Sequence, residues 1–186
     1  NNFFHGWFKG LGGKFLEAGC GIGNFVIYFS KLGFNVTGIE FSPSRAAIAR
    51  ENCKKYKVQA KIIEGDVRKL PFSDESFDVV FSHGVVEHFP ETAIALKELN
   101  RVLQKGGTAM ISVPNKFTFF TINKFIQQIL SRILGKTVWT SGYERSFTRA
   151  GFRKLLNKNG FRIIKEEHSE CGPGKRFPIV GKILYY

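Results

Sequence analysis

Glu17-Ala18-Gly19-Cys20-Gly21-Ile22-Gly23 decides how this chain is read. The stretch follows a short apolar run, Phe15-Leu16, and opens into Asn24-Phe25-Val26-Ile27-Tyr28-Phe29, which can coil as a helix. Strand, glycine turn and helix in that order make a cradle for a nucleotide-bearing cofactor. Glycine lets the backbone turn tightly and lets a ligand approach where a Cβ would collide. The spacing also separates two cofactor classes. A dinucleotide fingerprint, G-x-G-x-x-G, needs glycine at position 24. Asn24 stands there, and the third glycine is Gly23, with an acid, Glu17, two places before the first.

Outward from this turn, strands and helices alternate. Residues 14–18 read as the first strand and 23–32 as a helix ending near Gly33. Residues 34–39 form a second strand. Ser42-Pro43 starts a helix, with serine as N-cap and proline at its first position, running to about Lys54. Residues 59–64 and 77–81 are the third and fourth strands. Residues 91–103 are a helix with Ala95, Leu96, Leu99, Val102 and Leu103 at helical spacing, stopped by Gly106-Gly107. Residues 108–113 form a fifth strand closed by Pro114. Thr148 caps a helix reaching about Lys158, residues 161–168 form a sixth strand, and 178–186 a seventh. Such alternation predicts a doubly wound, mostly parallel sheet with helices on both faces. Ligands of such sheets bind beyond the carboxyl ends of the strands.

The 186 residues fit one domain spanning 1–186, large enough to bury a core without staples. Cys20, Cys53 and Cys171 show no C-x-x-C pairing, which disfavours a disulfide framework or a zinc site. With no signal-like start, a cytoplasmic setting is expected. No apolar run approaches the ~20 residues that span a bilayer. The net charge of +13 is uneven: residues 101–186 hold 16 Lys/Arg against 4 Asp/Glu. That half suits an anionic partner (phosphate, nucleic acid or an acidic membrane surface) or is simply a solvated basic surface.

Five segments in order carry a family resemblance. E-x-G-x-G-x-G at Glu17, Gly19, Gly21 and Gly23 resembles motif I of the class I S-adenosylmethionine methyltransferases. Glu40 ends the second strand in Gly38-Ile39-Glu40-Phe41-Ser42. Glu64-Gly65-Asp66-Val67 ends the third. Leu70-Pro71-Phe72-Ser73-Asp74-Glu75-Ser76-Phe77-Asp78-Val79-Val80 and Val85-Val86-Glu87-His88-Phe89 resemble stretches of the ubiquinone/menaquinone-methyltransferase-like group. So does Leu99-Asn100-Arg101-Val102-Leu103-Gln104-Lys105-Gly106-Gly107, with Gln104-Lys105 where the group has Lys-Pro. The likeness covers roughly residues 13–115. It implies a Rossmann-like fold of seven strands, with S-adenosylmethionine as cofactor and S-adenosylhomocysteine as product.

The resemblance also implies roles. The cofactor set would be Glu17, Gly19, Cys20, Gly21, Gly23, Asn24, Glu40, Phe41, Ser42, Asp66, Val67 and Ser82. Glu40 would accept hydrogen bonds from both ribose hydroxyls, since a carboxylate can take two donors in one plane. Asp66 would lie near the adenine amino group. Glu17 would act either by touching the ligand or by ordering the loop. Cys20 would be a small filler rather than a nucleophile, and Asp78 structural. The reaction implied is an in-line SN2 displacement at a sulfonium methyl, which needs alignment and exclusion of water but no metal. His83 and His88 flank the end of the fourth strand. Either could take a proton as neutral imidazole, and by resemblance His88 could instead order the loop or line the cofactor pocket.

Ser82-His83-Gly84-Val85 replaces the [DN]-P-P-[YF] motif of amide and exocyclic-amine methylation, and no cysteine suits pyrimidine C5 chemistry. These absences favour a small-molecule acceptor, apolar or anionic. Rival readings are an RNA methyltransferase using the basic half, a non-catalytic S-adenosylmethionine-binding module and, weakest, a dehydrogenase.

Residues 117–147 interrupt the alternation. Ile122, Phe125, Ile126, Ile129, Leu130, Ile133 and Leu134 share one helical stripe, with Asn123, Lys124, Gln127, Gln128, Ser131 and Arg132 opposite. By resemblance this is a helical cap inserted after strand five. A core helix or a helix lying on a membrane surface would show the same pattern. The aromatic run at residues 3–8 precedes the first strand, where family members carry a longer helical lead. The chain therefore reads as shortened or interrupted there. Tyr143, Glu144, Arg145 and Arg149 follow the insert and offer polar contacts.

Overall fold

The computed structural model describes residues 8, 10–117, 129, 143–168 and 179–184. The aromatic run at residues 3–7 and most of the expected cap lie outside them.

Five parallel strands carry the molecule: β1 (Lys14–Ala18), β2 (Asn35–Glu40), β3 (Ala60–Glu64), β4 (Phe77–His83) and β5 (Leu103–Val113). They lie in the order β3-β2-β1-β4-β5, so the strand order reverses between β1 and β4. That reversal opens a crevice at the carboxyl ends of both strands. Helices α1 (Asn24–Lys31), α2 (Pro43–Lys55) and α3 (Thr92–Val102) make the crossovers, and a 3₁₀ turn, Val86–His88, follows β4.

The parallel run stops at five strands. After α4 (Arg149–Lys158), β6 (Arg162–His168) and β7 (Ile179–Leu184) have strand backbone, and β7 lies antiparallel to both β5 and β6. The link between β6 and β7 spans only about ten residues, whereas a parallel return needs a crossover of a dozen or more.

Apolar residues bury both faces of the sheet. On the α1 face, Phe15, Phe29, Phe34 and Phe81 pack with Phe8; Phe15 stacks on Phe29 with centroids 4.3 Å apart. Each fully buried ring contributes about 1.5–3 kcal/mol. On the other face, Ala95, Leu96, Leu99 and Val102 of α3 pack on Leu16, Val80 and Ile111. The start signals act locally: Ser42 Oγ accepts from the Arg45 amide (3.4 Å) and Thr148 Oγ1 from the Gly151 amide (3.1 Å).

Two strand boundaries differ from expectation. β4 continues to His83, and β5 begins at Leu103, with an irregularity opposite Phe77 and Val79. The pair Gly106-Gly107 therefore lies inside a strand. A Cβ at Gly107 would come 2.7 Å from the Gln104 carbonyl oxygen and 2.9 Å from that of Asp78. Close backbone packing, not helix termination, explains that glycine.

Candidate functional site

The glycine loop leaves β1 and folds under the end of β2. The Gly19 and Cys20 amides both donate to the Ile39 carbonyl, at 2.8 and 2.9 Å. Gly19 has φ +81, and a Cβ there would lie 2.4 Å from Val85 Cγ2. The loop therefore packs directly on the turn after β4. Gly21 differs, because nothing lies within 4 Å of where its Cβ would project. Its amide donates to Glu40 Oε2 (2.8 Å), while the Ser42 amide donates to Glu40 Oε1 (3.0 Å). Glu40 is buried, and its carboxylate is pinned from two sides beside the open face of the loop.

Glu17 is buried beneath the loop. Burial drives its carboxyl well above the ordinary value. The Val26 amide in the first turn of α1 pulls it back, and the Glu40 charge pushes it further up. Glu17 Oε2 has no hydrogen-bond partner. The sequence left two roles open for Glu17; its buried carboxyl meets the first turn of α1 through the Val26 amide.

The other expected residues divide by where their side chains go. Phe41 stands at the lip, 70% exposed, and Asn24 is exposed at the head of α1. Ser42 spends its hydroxyl as the α2 cap. Cys20 turns its thiol into the core, where a Cβ on Gly38 would meet Sγ at 2.8 Å; burial raises the thiol's pKa, so it stays protonated and unreactive. Val67 also packs into the core, so these two can reach a ligand only through their backbones. Asp66 is engaged by Arg68, whose Nη2 lies 2.7 Å from Oδ2 and whose amide donates to Oδ1 (2.8 Å). This pairing holds the Asp66 carboxyl below its usual range. Arg68 also lies 4.7 Å over the Phe89 ring, tying the loop after β3 to the loop after β4.

At the end of β4, Ser82 is buried with Oγ unpartnered. His83 packs face to face with Phe81 and edge-on to Phe25, and its Nδ1 is hydrogen-bonded to Ser112 Oγ. Burial lowers its pKa to about 4, so the ring is neutral at pH 7. His88 is exposed, with Nδ1 3.0 Å from the Tyr143 carbonyl oxygen. Between them sits Glu87, which sequence reasoning passed over. Its side chain is buried, Oε2 is unpartnered, and burial raises its pKa to about 7, helped by the Glu144 charge. Val85, Arg68 and Ser112 were missed as well. Each belongs to the site through a neighbour distant in sequence.

Asp78 takes no part here. It accepts from the Lys14 amide (2.7 Å) at the opposite end of the strands. A separate concavity of about 720 Å³, lined by residues such as Asn35, Arg50, Lys54 and Ala60, also lies away from the crevice. Among the described residues no helix is long and apolar enough to cross a membrane.

Comparison with known proteins agrees with this geometry. The family described as "Methyltransferase domain" matches residues 16–111. Demethylmenaquinone methyltransferase of Staphylococcus aureus (strain Newman) is 33% identical over 136 residues, covering 68% of this chain and 56% of the relative. The chain thus spans little more than half the length of that relative. Magnesium protoporphyrin IX methyltransferase from Synechocystis PCC 6803, solved with bound SAH, superposes with a TM-score of 0.80 at 18% identity, covering 100% of this chain and 81% of that one. The PH0226 protein from Pyrococcus horikoshii OT3 gives 0.77 at 22%, covering 100% and 88%. A parallel sheet reversing at β1 and β4, a glycine loop beside a pinned carboxylate, and a family match over more than half the residues lead to one conclusion: this chain belongs to the class I methyltransferases, whose cofactor is S-adenosylmethionine.

Proposed function

We propose that the chain transfers a methyl group from S-adenosylmethionine to a small-molecule acceptor, an aromatic hydroxyl compound of the quinol type. The observation that carries this reading is the open face of Gly21 opposite the Glu40 carboxylate. Each Glu40 oxygen already takes one backbone amide and keeps capacity for one more donor, which suits a ribose diol. When bound, the cofactor supplies an electrophilic sulfonium methyl open to in-line displacement.

The chain's own residues would do the rest. Gly19, Gly21, Gly23 and Asn24 would border the sulfonium end, with Cys20 and Ser82 behind them. Phe41, Ser42, Asp66 and Val67 would surround the adenine and ribose. His83 and His88 are candidate proton acceptors at the acceptor side. Residues 117–147 would cap the crevice and keep out water, within a single domain whose sheet β6 and β7 complete to seven strands. Kinship with a demethylmenaquinone methyltransferase supports a quinol acceptor. Buried free thiols at Cys20 and Cys53 suit a reducing, cytoplasmic setting.

Calorimetric titration with S-adenosylhomocysteine tests the cofactor site. Glu40→Ala should weaken binding by about 1–3 kcal/mol, the value of hydrogen bonds to a charged group. Unchanged affinity would remove Glu40 from the site and the reading with it.

A further inference from the structure

The end of β4 and the turn after it hold three titratable side chains, and they are not equivalent. His83 is wedged between Phe25 and Phe81 with Nδ1 tied to Ser112, and burial makes it a feeble base. His88 is exposed, with Nδ1 against the Tyr143 carbonyl. Glu87 alone combines burial, at 2% exposure, with a side-chain oxygen that has no partner. A buried carboxyl oxygen without a donor is costly to keep, and such atoms in a native fold call for an explanation.

The turn holds Glu87 in place from outside. The Arg145 amide donates to the Glu87 carbonyl (3.0 Å), next to the Tyr143–His88 contact. These contacts fix the backbone of the turn at Glu87 and His88. On the inner side stand Gly84, whose Cβ would lie 3.6 Å from Glu87 Oε1, and Val85, which packs on Gly19 of the cofactor loop. Glu87 is therefore two residues from direct contact with that loop. Among the described residues no salt bridge reaches Glu87: Glu144 repels it, and the Arg145 guanidinium lies over Phe147 (5.1 Å). Burial and Glu144 leave the carboxyl titrating near neutral pH, where a general base is most effective.

We propose that Glu87 receives the hydroxyl of the methyl acceptor: Oε2 accepts its hydrogen bond, the acceptor's O–H bond breaks, the proton passes to Oε2, and the electron pair stays on the acceptor oxygen. The acceptor becomes electron-rich, and one proton is conserved on the carboxyl. This assignment rests on the reading of the chain as a methyltransferase of a hydroxylated small molecule.

The test uses the whole chain, Glu87→Gln and Glu87→Asp, with demethylmenaquinone reduced to its quinol as the probe. S-adenosylhomocysteine affinity is measured by calorimetry, quinol affinity by equilibrium dialysis, and single-turnover methyl transfer from labelled cofactor across mildly acidic to alkaline pH. Glu87→Gln should keep cofactor-product affinity within about twofold. It should weaken quinol binding, slow transfer by about a hundredfold and abolish the rise in rate near pH 7, with partial recovery in Glu87→Asp. Transfer by Glu87→Gln within about threefold of the parent, with that rise intact, would overturn the assignment. So would loss of S-adenosylhomocysteine affinity in Glu87→Gln, which would make the residue structural. A parent that binds S-adenosylhomocysteine but neither binds nor methylates the quinol would remove this acceptor and the Glu87 role, leaving the cofactor site standing. A parent that does not bind S-adenosylhomocysteine would fail the proposed function itself.

Discussion

Gly19 and Gly21 are two residues apart and constrained in different ways. At Gly19, alanine would add a Cβ 2.4 Å from Val85 at a backbone φ of +81. Left-handed backbone costs about 1–2 kcal/mol for a residue with a Cβ, and overpacking adds about 1–3 kcal/mol. Gly19→Ala should therefore lower the melting temperature and S-adenosylhomocysteine affinity together. At Gly21 the Cβ has room, so Gly21→Ala should cost mainly the backbone term. Its methyl would project into the open space before the loop, and cofactor affinity should fall by more than stability does. Thermal unfolding beside calorimetry separates the two, and equal effects from both variants would refute the distinction. The sequence exposed both glycines and Glu40 through their spacing. It could not show that Cys20 faces the core, that Arg68 lies over the Phe89 ring, or that Glu87 is buried, because each depends on residues remote in the chain.

Arg101 joins two elements that the sequence presented as separate motifs. Its guanidinium reaches the carbonyls of Leu70 (3.1 Å) and Phe72 (2.8 Å), and also Asp74 and Glu98. Glu98 in turn accepts from the Leu70 amide (2.8 Å). The segment before β4 is thus clasped to the end of α3, away from the crevice. Arg101→Met should destabilise the fold by ~2–4 kcal/mol, since hydrogen bonds to charged groups are worth ~1.5–3 kcal/mol and the exposed Asp74 pair adds little. S-adenosylhomocysteine affinity should stay near the parent value. An unchanged melting temperature would show the clasp to be incidental. Here the motifs identified the family while serving structure rather than chemistry. Helix starts at Ser42 and Thr148 were legible because capping is local. The extension of β4 and the early start of β5 were not, because strand pairing overrides local glycine signals.

Across the whole molecule, His83 and Glu87 oppose each other in pH dependence. His83 falls from an ordinary 6.5 to about 4 in the fold, so between those values the unfolded chain binds more protons and stability rises with pH. Glu87 climbs from an ordinary 4.5 to about 7, so there the folded chain binds more protons and stability falls as pH rises. Each slope approaches ~1.4 kcal/mol per pH unit, and they largely cancel where the windows overlap. Relative to the parent, His83→Gln should gain stability as pH drops from 6.5 to 4, and Glu87→Gln as pH climbs from 4.5 to 7. Denaturant unfolding across pH measures both differences, and parallel curves for parent and variants would refute the assignment. The sequence by itself determined the order of strands and helices, the glycine loop and the family, because turns, caps and apolar periodicity are local and short motifs keep their spacing. Only the tertiary structure decided which side chains are buried without a partner, which are clasped by a distant arginine, and where the sheet turns antiparallel. Those outcomes are set by solvent exclusion and by contacts between residues far apart in the chain, which no local pattern encodes.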